Sequence, residues 1–167
     1  WANNQEDRRS QSGLCFTLGN AAVCWKSKRQ ATVALSTYEA EYMAQSACIQ
    51  QALFLISLLT ELSIVKTFTG CLTRPLTIFG DNAAALKTAQ EGAISTRAKH
   101  IDIRHHFILD VIKRGDVTLK YIKTDNNPAD LMTKSLHKVK HQKFSEMLLG
   151  IANQSTGEDH CNSGRQT

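Results

Sequence analysis

Apolar and polar positions follow a two-residue period near the start of the chain and a helical period after it. The opening stretch, Trp1 to Ser12, is polar and charged and reads as a loop ending at Gly13. Leu14–Leu18 and Ala21–Trp25 are strand-like runs, and Gly19-Asn20 between them is a hairpin turn signal. The second run is expected to continue through Lys26–Arg29 into a further strand at Ala31–Leu35. Ser36-Thr37 then caps a long helix. Its positions 41, 44, 48, 52, 55, 59 and 62 fall on one stripe, apolar at every place except Glu41. On that register Glu39, two residues and roughly 200° away, faces away from the sheet.

Ser63–Pro75 is predicted to be a connecting loop, and Leu76–Gly80 a short apolar strand that stops at Asp81. Asn82–Gln90 reads as a short helix and Glu91–Thr96 as a loop. Lys99–Arg114 is predicted helical, with Ile101, Ile108 and Ile112 on one side and Arg104, Lys113 and Arg114 toward solvent. Gly115-Asp116 ends it before a strand at Val117–Ile122. Thr124–Pro128 is then a loop, and a final helix runs from Ala129 to about Leu149. Asn153–Thr167 has no large apolar anchor and is predicted to be a disordered tail. A hairpin followed by β-α-β units implies an α/β fold, with helices packed on a mixed sheet.

The 167 residues are enough for one domain with a real core. No unbroken apolar run reaches the ~18 residues of a membrane span, and the polar opening does not read as a signal peptide. Five cysteines without a C-x-x-C pair point to small apolar fillers in a reducing intracellular compartment. The sequon Asn153-Gln-Ser155 would matter only in a secreted protein. Charge is unevenly placed. Between Arg97 and Lys143 there are eleven Lys and Arg against five Asp, and the rest of the chain is close to neutral. A basic half suggests a polyanionic partner, nucleic acid before membrane, although a solvated basic face has the same composition. Lys26, Lys28 and Arg29 either protect a strand edge or sit near phosphates.

Three acids stand where such a fold can bring them together. Glu41 heads the long helix, Asp81 ends a strand and Asp130 opens the last helix. Clustered carboxylates repel unless a cation lies among them, and hard oxygen donors select Mg²⁺ or Mn²⁺. Taken singly, Asp81 could be an N-cap and Asp130 a partner of the helix dipole. Glu41, a charge leading an apolar stripe, needs a partner. His105, three residues before Ile108, reads as a buried histidine sooner than a metal ligand, and the neighbouring His100 and His106 gain no separate role.

The stretches WANNQEDRRSQSG, CWKSKRQATVALSTYEAEYMA, IFGDNAAAL, STRAKHIDIRHHFI and NNPADLMTKSL resemble the ribonuclease H domain of copia-type retrotransposon polyproteins, from Trp1 to about Leu149. The resemblance implies a ribonuclease H-like domain over residues 1–152, with a mixed five-stranded sheet flanked by helices and its first strand largely missing. It implies an endonuclease that cuts the RNA strand of RNA–DNA hybrids, beside a reverse transcriptase domain of the same polyprotein. In that family four carboxylates hold two Mg²⁺ ions roughly 4 Å apart. Glu41, Asp81 and Asp130 match three of them. Ser36 and Asn82 match groups that touch nucleic-acid backbone, and Lys99 and Arg104 would line the groove on a basic helix.

Two departures accompany the match. The family's first aspartate lies in an S-D-x-D-W pattern, and the first residue here is the Trp of that pattern, so the acid bridging both metals is not among these residues. The loop at Thr124–Pro128 also has no histidine. A catalytically impaired nuclease is therefore expected, with a non-catalytic nucleic-acid- or protein-binding fragment as the alternative. An integrase-type nuclease fits less well, because its glutamate comes last of the acids.

Overall fold

A computed structural model describes residues 7–62, 74–91 and 99–151. The chain after Ile151, including the predicted tail, lies outside the described residues. So do most of the connections predicted at 63–75 and 91–96, and the side chains of Glu91, Lys99, His100, Ile101 and Asp102.

Strands β1 (Gln11–Leu18) and β2 (Ala21–Arg29) form an antiparallel hairpin in the register Leu18↔Ala21 to Gln11↔Arg29. Gly19 and Asn20 both take positive φ, 57° and 70°, which matches the right-handed twist of paired strands and suits these two residue types. The strand expected at Ala31–Leu35 does not form. Side-chain and capping bonds hold this segment instead. The buried Gln30 amide donates to Ser12 Oγ and to the Ala40 carbonyl, each at 2.8 Å, and Leu35 N–H donates to the Glu39 carboxylate at 2.7 Å. The segment is the entry to a helix, not a sheet member.

That helix, α1 (Thr37–Glu61), begins with reciprocal caps: Ser36 Oγ accepts from Glu39 N–H at 3.1 Å while Glu39 reaches back to Leu35. Glu39 is the first-turn acid of the helix and only 5% exposed, because its carboxylate is folded back on the helix entry. The buried face also differs from the predicted stripe. Tyr42, Ile49, Ala52 and Ile56 are the deeply buried positions, whereas 41, 44, 48, 55 and 59 are half-buried and Leu62 is exposed. The predicted stripe assumed a single sheet, but α1 packs on β1, on β3 and on two other helices. Its 25 residues are apolar enough to meet a length-and-hydropathy criterion for a membrane span, which the search for an unbroken apolar run passed over. Burial of Tyr42, Ile49 and Ala52 in the main core accounts for that apolarity.

The second half holds β3 (Leu76–Gly80), α2 (Ala83–Glu91), α3 (Lys99–Lys113) and β4 (Val117–Tyr121). β3 and β4 pair in parallel from Leu76↔Val117 to Gly80↔Tyr121. Ile78, Leu119, Ile108, Val111 and the small residues Ala85 and Ala89 close the core between this pair and the helices. His105 is 2% exposed, with Nδ1 2.7 Å from Tyr42 Oη, so it is a core histidine bonded to α1. Cys15, Cys24 and Cys48 are free thiols. Burial pushes the Cys48 thiol up to about 12, as expected of an apolar filler.

The predicted last helix is two elements. A 3-10 turn at Pro128–Met132 comes first, and α4 (Lys138–Leu149) follows after an extended connection. Asn127 Oδ1 accepts from Ala129 N–H at 3.2 Å and Pro128 occupies the first position, which starts the turn at once. Asp130 therefore sits on the turn and does not open the helix. The turn packs on β1, where Ser27 Oγ of β2 donates to the Met132 carbonyl.

Among the described residues the strands form two two-stranded sheets, β1-β2 and β3-β4, in place of one five-stranded sheet. A cavity of about 260 Å³ lies between them, lined by residues 13–17, by 76–81, and by Glu41, Ala44, Gln45 and Cys48 of α1. The Gln45 Oε1 atom is buried and has no partner among the described residues.

Gly13 sets how closely the 3-10 turn approaches β1. A Cβ there would lie 2.6 Å from Thr133 Cγ2 and 2.8 Å from the Ala129 carbonyl oxygen. Gly13→Ala is predicted to destabilise the chain by ~1–3 kcal/mol through overpacking against backbone. Denaturant melts of the two proteins, with equal slopes and a lower midpoint for the variant, would check this.

Candidate active site

Each of the three acids is delivered by a different element. Glu41 lies in the second turn of α1, Asp81 is the first residue after β3, and Asp130 lies within the 3-10 turn. All three line one cavity of about 150 Å³, together with residues of the β1 start, Asn127, Thr133 and Lys134. The α1 cap fixes where Glu41 stands. Asn82 Oδ1 accepts from Ala85 N–H at 3.0 Å, so Asn82 caps α2 and leaves Asp81 at the strand end.

The acids are not electrostatically equivalent. Burial raises the Glu41 carboxyl above its ordinary range, and the charge of Asp81 raises it further; Asp130 adds a smaller push and Lys134 opposes it. Asp130 is 5% exposed and already neutralised: its Oδ2 accepts from Lys134 Nζ at 2.9 Å and Lys140 Nζ at 3.3 Å. Lys140 also reaches Asp125 at 3.3 Å. Sequence reading passed over both lysines, although Lys134 stands at i+4 from Asp130, the spacing of a helical ion pair.

The donor set, carboxylate oxygens alone, suits a hard divalent cation. Among the described residues, however, no three His, Cys, Asp or Glu side chains are grouped closely enough to hold one ion. The cavity gathers the acids, while the lysine pair holds Asp130 to one side.

Of the residues expected to touch nucleic acid, Ser36 and Asn82 are engaged as helix caps. Arg104 lies elsewhere, in a groove with Lys26 and Lys28. The Lys99 side chain lies outside the described residues.

Comparison with known proteins gives the family of the chain. It is 31% identical over 147 residues to the retrovirus-related Pol polyprotein of transposon TNT 1-94 from Nicotiana tabacum, covering 88% of this chain. It is 33% identical over 148 residues to the corresponding polyprotein of transposon RE1 from Arabidopsis thaliana, covering 89% of this chain. The chain belongs with the copia-type Pol polyproteins. The Pol polyprotein of transposon RE2, also from Arabidopsis thaliana, is 32% identical over 148 residues. The chain spans about 10% of the length of each of these Pol relatives. No family model matches, and no solved structure matches.

In this Pol segment the raised Glu41 carboxyl has a sign that can be tested. The folded state holds its proton more tightly than the unfolded chain, so the associated stability is full below the ordinary glutamate range and falls as pH rises through the folded value. At neutral pH the ionised group is a liability unless a cation offsets it. Glu41→Gln is predicted to raise Tm by a few degrees at pH 7 without divalent ions, and to have little effect near pH 4. Millimolar Mg²⁺ or Mn²⁺ should raise Tm of the parent chain and not of the variant, as read by calorimetry.

Proposed function

We propose that the chain is the nuclease portion of such a polyprotein, a ribonuclease H-type endonuclease that hydrolyses the RNA strand of RNA–DNA hybrids during reverse transcription. The observation that carries this reading is the arrival of Glu41, Asp81 and Asp130 at one cavity from three separate elements. In the polyprotein it would work beside a reverse transcriptase domain.

The cavity between β1 and β3 supports a finer version of the fold. Each of these strands is paired on one side only among the described residues, and the cavity floor carries an unpaired Gln45 oxygen. A strand placed there would join the two pairs into a mixed five-stranded sheet. Its end would lie by the acid cavity, because Glu41 and Asp81 line both spaces. In the longer polypeptide a segment bearing S-D-x-D would supply that strand and a fourth acid.

Mg²⁺ or Mn²⁺ would be held by Glu41, Asp81 and Asp130; bound there, it supplies an activated water and stabilises the leaving oxygen. The chain's own groups do the rest. Burial and the Asp81 charge make an ionised Glu41 costly without a cation, and Lys134 and Lys140 hold the Asp130 carboxylate until a stronger charge competes for it.

A second reading, a non-catalytic binding module, is favoured by one observation: the described acids are not grouped at metal-holding distance and Asp130 is already charge-paired. A cleavage assay separates the two. The chain Trp1–Thr167 is predicted to cut a labelled hybrid poorly, and a version extended by an S-D-x-D strand to cut it well with Mg²⁺. In the extended form, Glu41→Gln should abolish cleavage with the fold intact. Glu39→Gln should keep the rate within a few-fold and lose roughly 1 kcal/mol of stability from its weakened cap. An extended form that binds hybrid but never cuts it would establish the binding module instead.

A further inference from the structure

Gln45 brings a spare oxygen to the acids. It lies four residues after Glu41 on α1, so the two side chains share a face, with Cβ atoms roughly 5–6 Å apart. The residue is 8% exposed, and its Oε1 atom has no hydrogen-bond partner among the described residues. A buried carbonyl left this way is costly unless a donor or a cation reaches it. The end of β3 backs onto the same amide: a Cβ on Gly80, the residue before Asp81, would lie 3.5 Å from Gln45 Nε2. Glu41, Gln45 and Asp81 all line the cavity of about 260 Å³ between β1 and β3, whereas Asp130 lines the smaller cavity and not this one.

The two sides of the acid group differ in charge. On the Asp130 side, Lys134 and Lys140 already pair with the carboxylate. Burial and then the Asp81 charge raise the Glu41 carboxyl, while the opposing effect of Lys134 there exceeds the push of Asp130. The charge left for a cation to offset therefore lies chiefly between Glu41 and Asp81. We propose that in the chain Trp1–Thr167 a hydrated Mg²⁺ or Mn²⁺ is bound by Glu41, Asp81 and the Gln45 Oε1 atom, and not by Asp130. This rests on the metal reading above and changes its ligand set, because the cavity between β1 and β3 leads to Gln45. A strand filling that cavity would cover Gln45 and return the ion to the acids alone. Two carboxylates and an amide oxygen are hard donors of the kind these ions take. The cavity has room for retained waters as well, at roughly 30 Å³ each.

The test is Mn²⁺ binding to the chain Trp1–Thr167, read from the loss of the free-ion EPR signal, with a metal-free melt of every variant. The parent should bind Mn²⁺ at millimolar concentration or below. Gln45→Leu should weaken binding at least fivefold while its metal-free Tm stays equal or rises, since the orphaned oxygen is gone. A glutamine with a merely structural role would do the reverse, lowering Tm and leaving the affinity alone. Gln45→Glu should tighten binding at least fivefold, because a carboxylate replaces the amide oxygen. Asp81→Asn should weaken it at least tenfold, and Asp130→Asn less than threefold. If Asp130→Asn does not fold, Lys134→Met takes its place: it removes the nearer cation from Asp130, and affinity should again move less than threefold. A parent that binds no Mn²⁺, or an unchanged affinity in Gln45→Leu, overturns the site. A tenfold change from Asp130→Asn or Lys134→Met also overturns it, restores the three-acid set and leaves the nuclease reading standing. Gln45-dependent binding, together with a strand-extended form that never cuts hybrid, sinks the nuclease reading and leaves this site standing.

Discussion

The packing of α1 across two separate strand pairs is the contact on which the rest of the structure depends. The helix packs on β1, β3, α2 and α3, and Tyr42, Ile49 and Ala52 are its residues in the main core. The Ser36–Glu39 caps decide where that helix starts, and so where Glu41 stands relative to the end of β3. Moving the start by one residue would rotate Glu41 by ~100° and take it away from Asp81. The Tyr42–His105 hydrogen bond in the core opposes such a rotation from the other face.

Within the acid cavity, burial and like charge work against each other's relief. Desolvation and the charge of Asp81 raise the Glu41 carboxyl above its ordinary range, whereas the Asp130 carboxylate is ion-paired with Lys134 and Lys140. Lys134 and Lys140 offset part of the negative charge that the acids bring together. The same arrangement would make cation binding a competition, because a divalent ion would contend with the ammonium groups for Asp130.

Charge counting along the chain located a basic half, but folding redistributes it. Lys134, Lys140 and Arg114 from that half are spent on Asp130, Asp125, Asp110 and Asp116. The cations that share a concavity come from both halves, Lys26 and Lys28 from the hairpin and Arg104 from α3. Net charge over a window says what kind of partner to expect. Which charges remain for that partner depends on which acids the fold places beside them.

Local interactions explain what the sequence alone determined. The Gly19-Asn20 turn, the Ser36 cap, the β3 strand ending at Asp81 and the end of α3 near Arg114 all rest on residues within a few positions of one another. Motif spacing also pointed to the three acids that meet in the cavity. Tertiary structure decided the rest. Ala31–Leu35 looked like a strand by composition, yet bonds from Gln30 and Glu39 hold it as a helix entry. Helical period turned Glu39 away from the sheet, but only the several neighbours of α1 and the cap bury it. Asp130 looked like the first turn of a helix, whereas Asn127-Pro128 and the close approach at Gly13 make a short 3-10 turn there. Each outcome depends on at least one contact beyond the local period, Gln30 with Ala40, α1 with its several neighbours, or Gly13 with the turn.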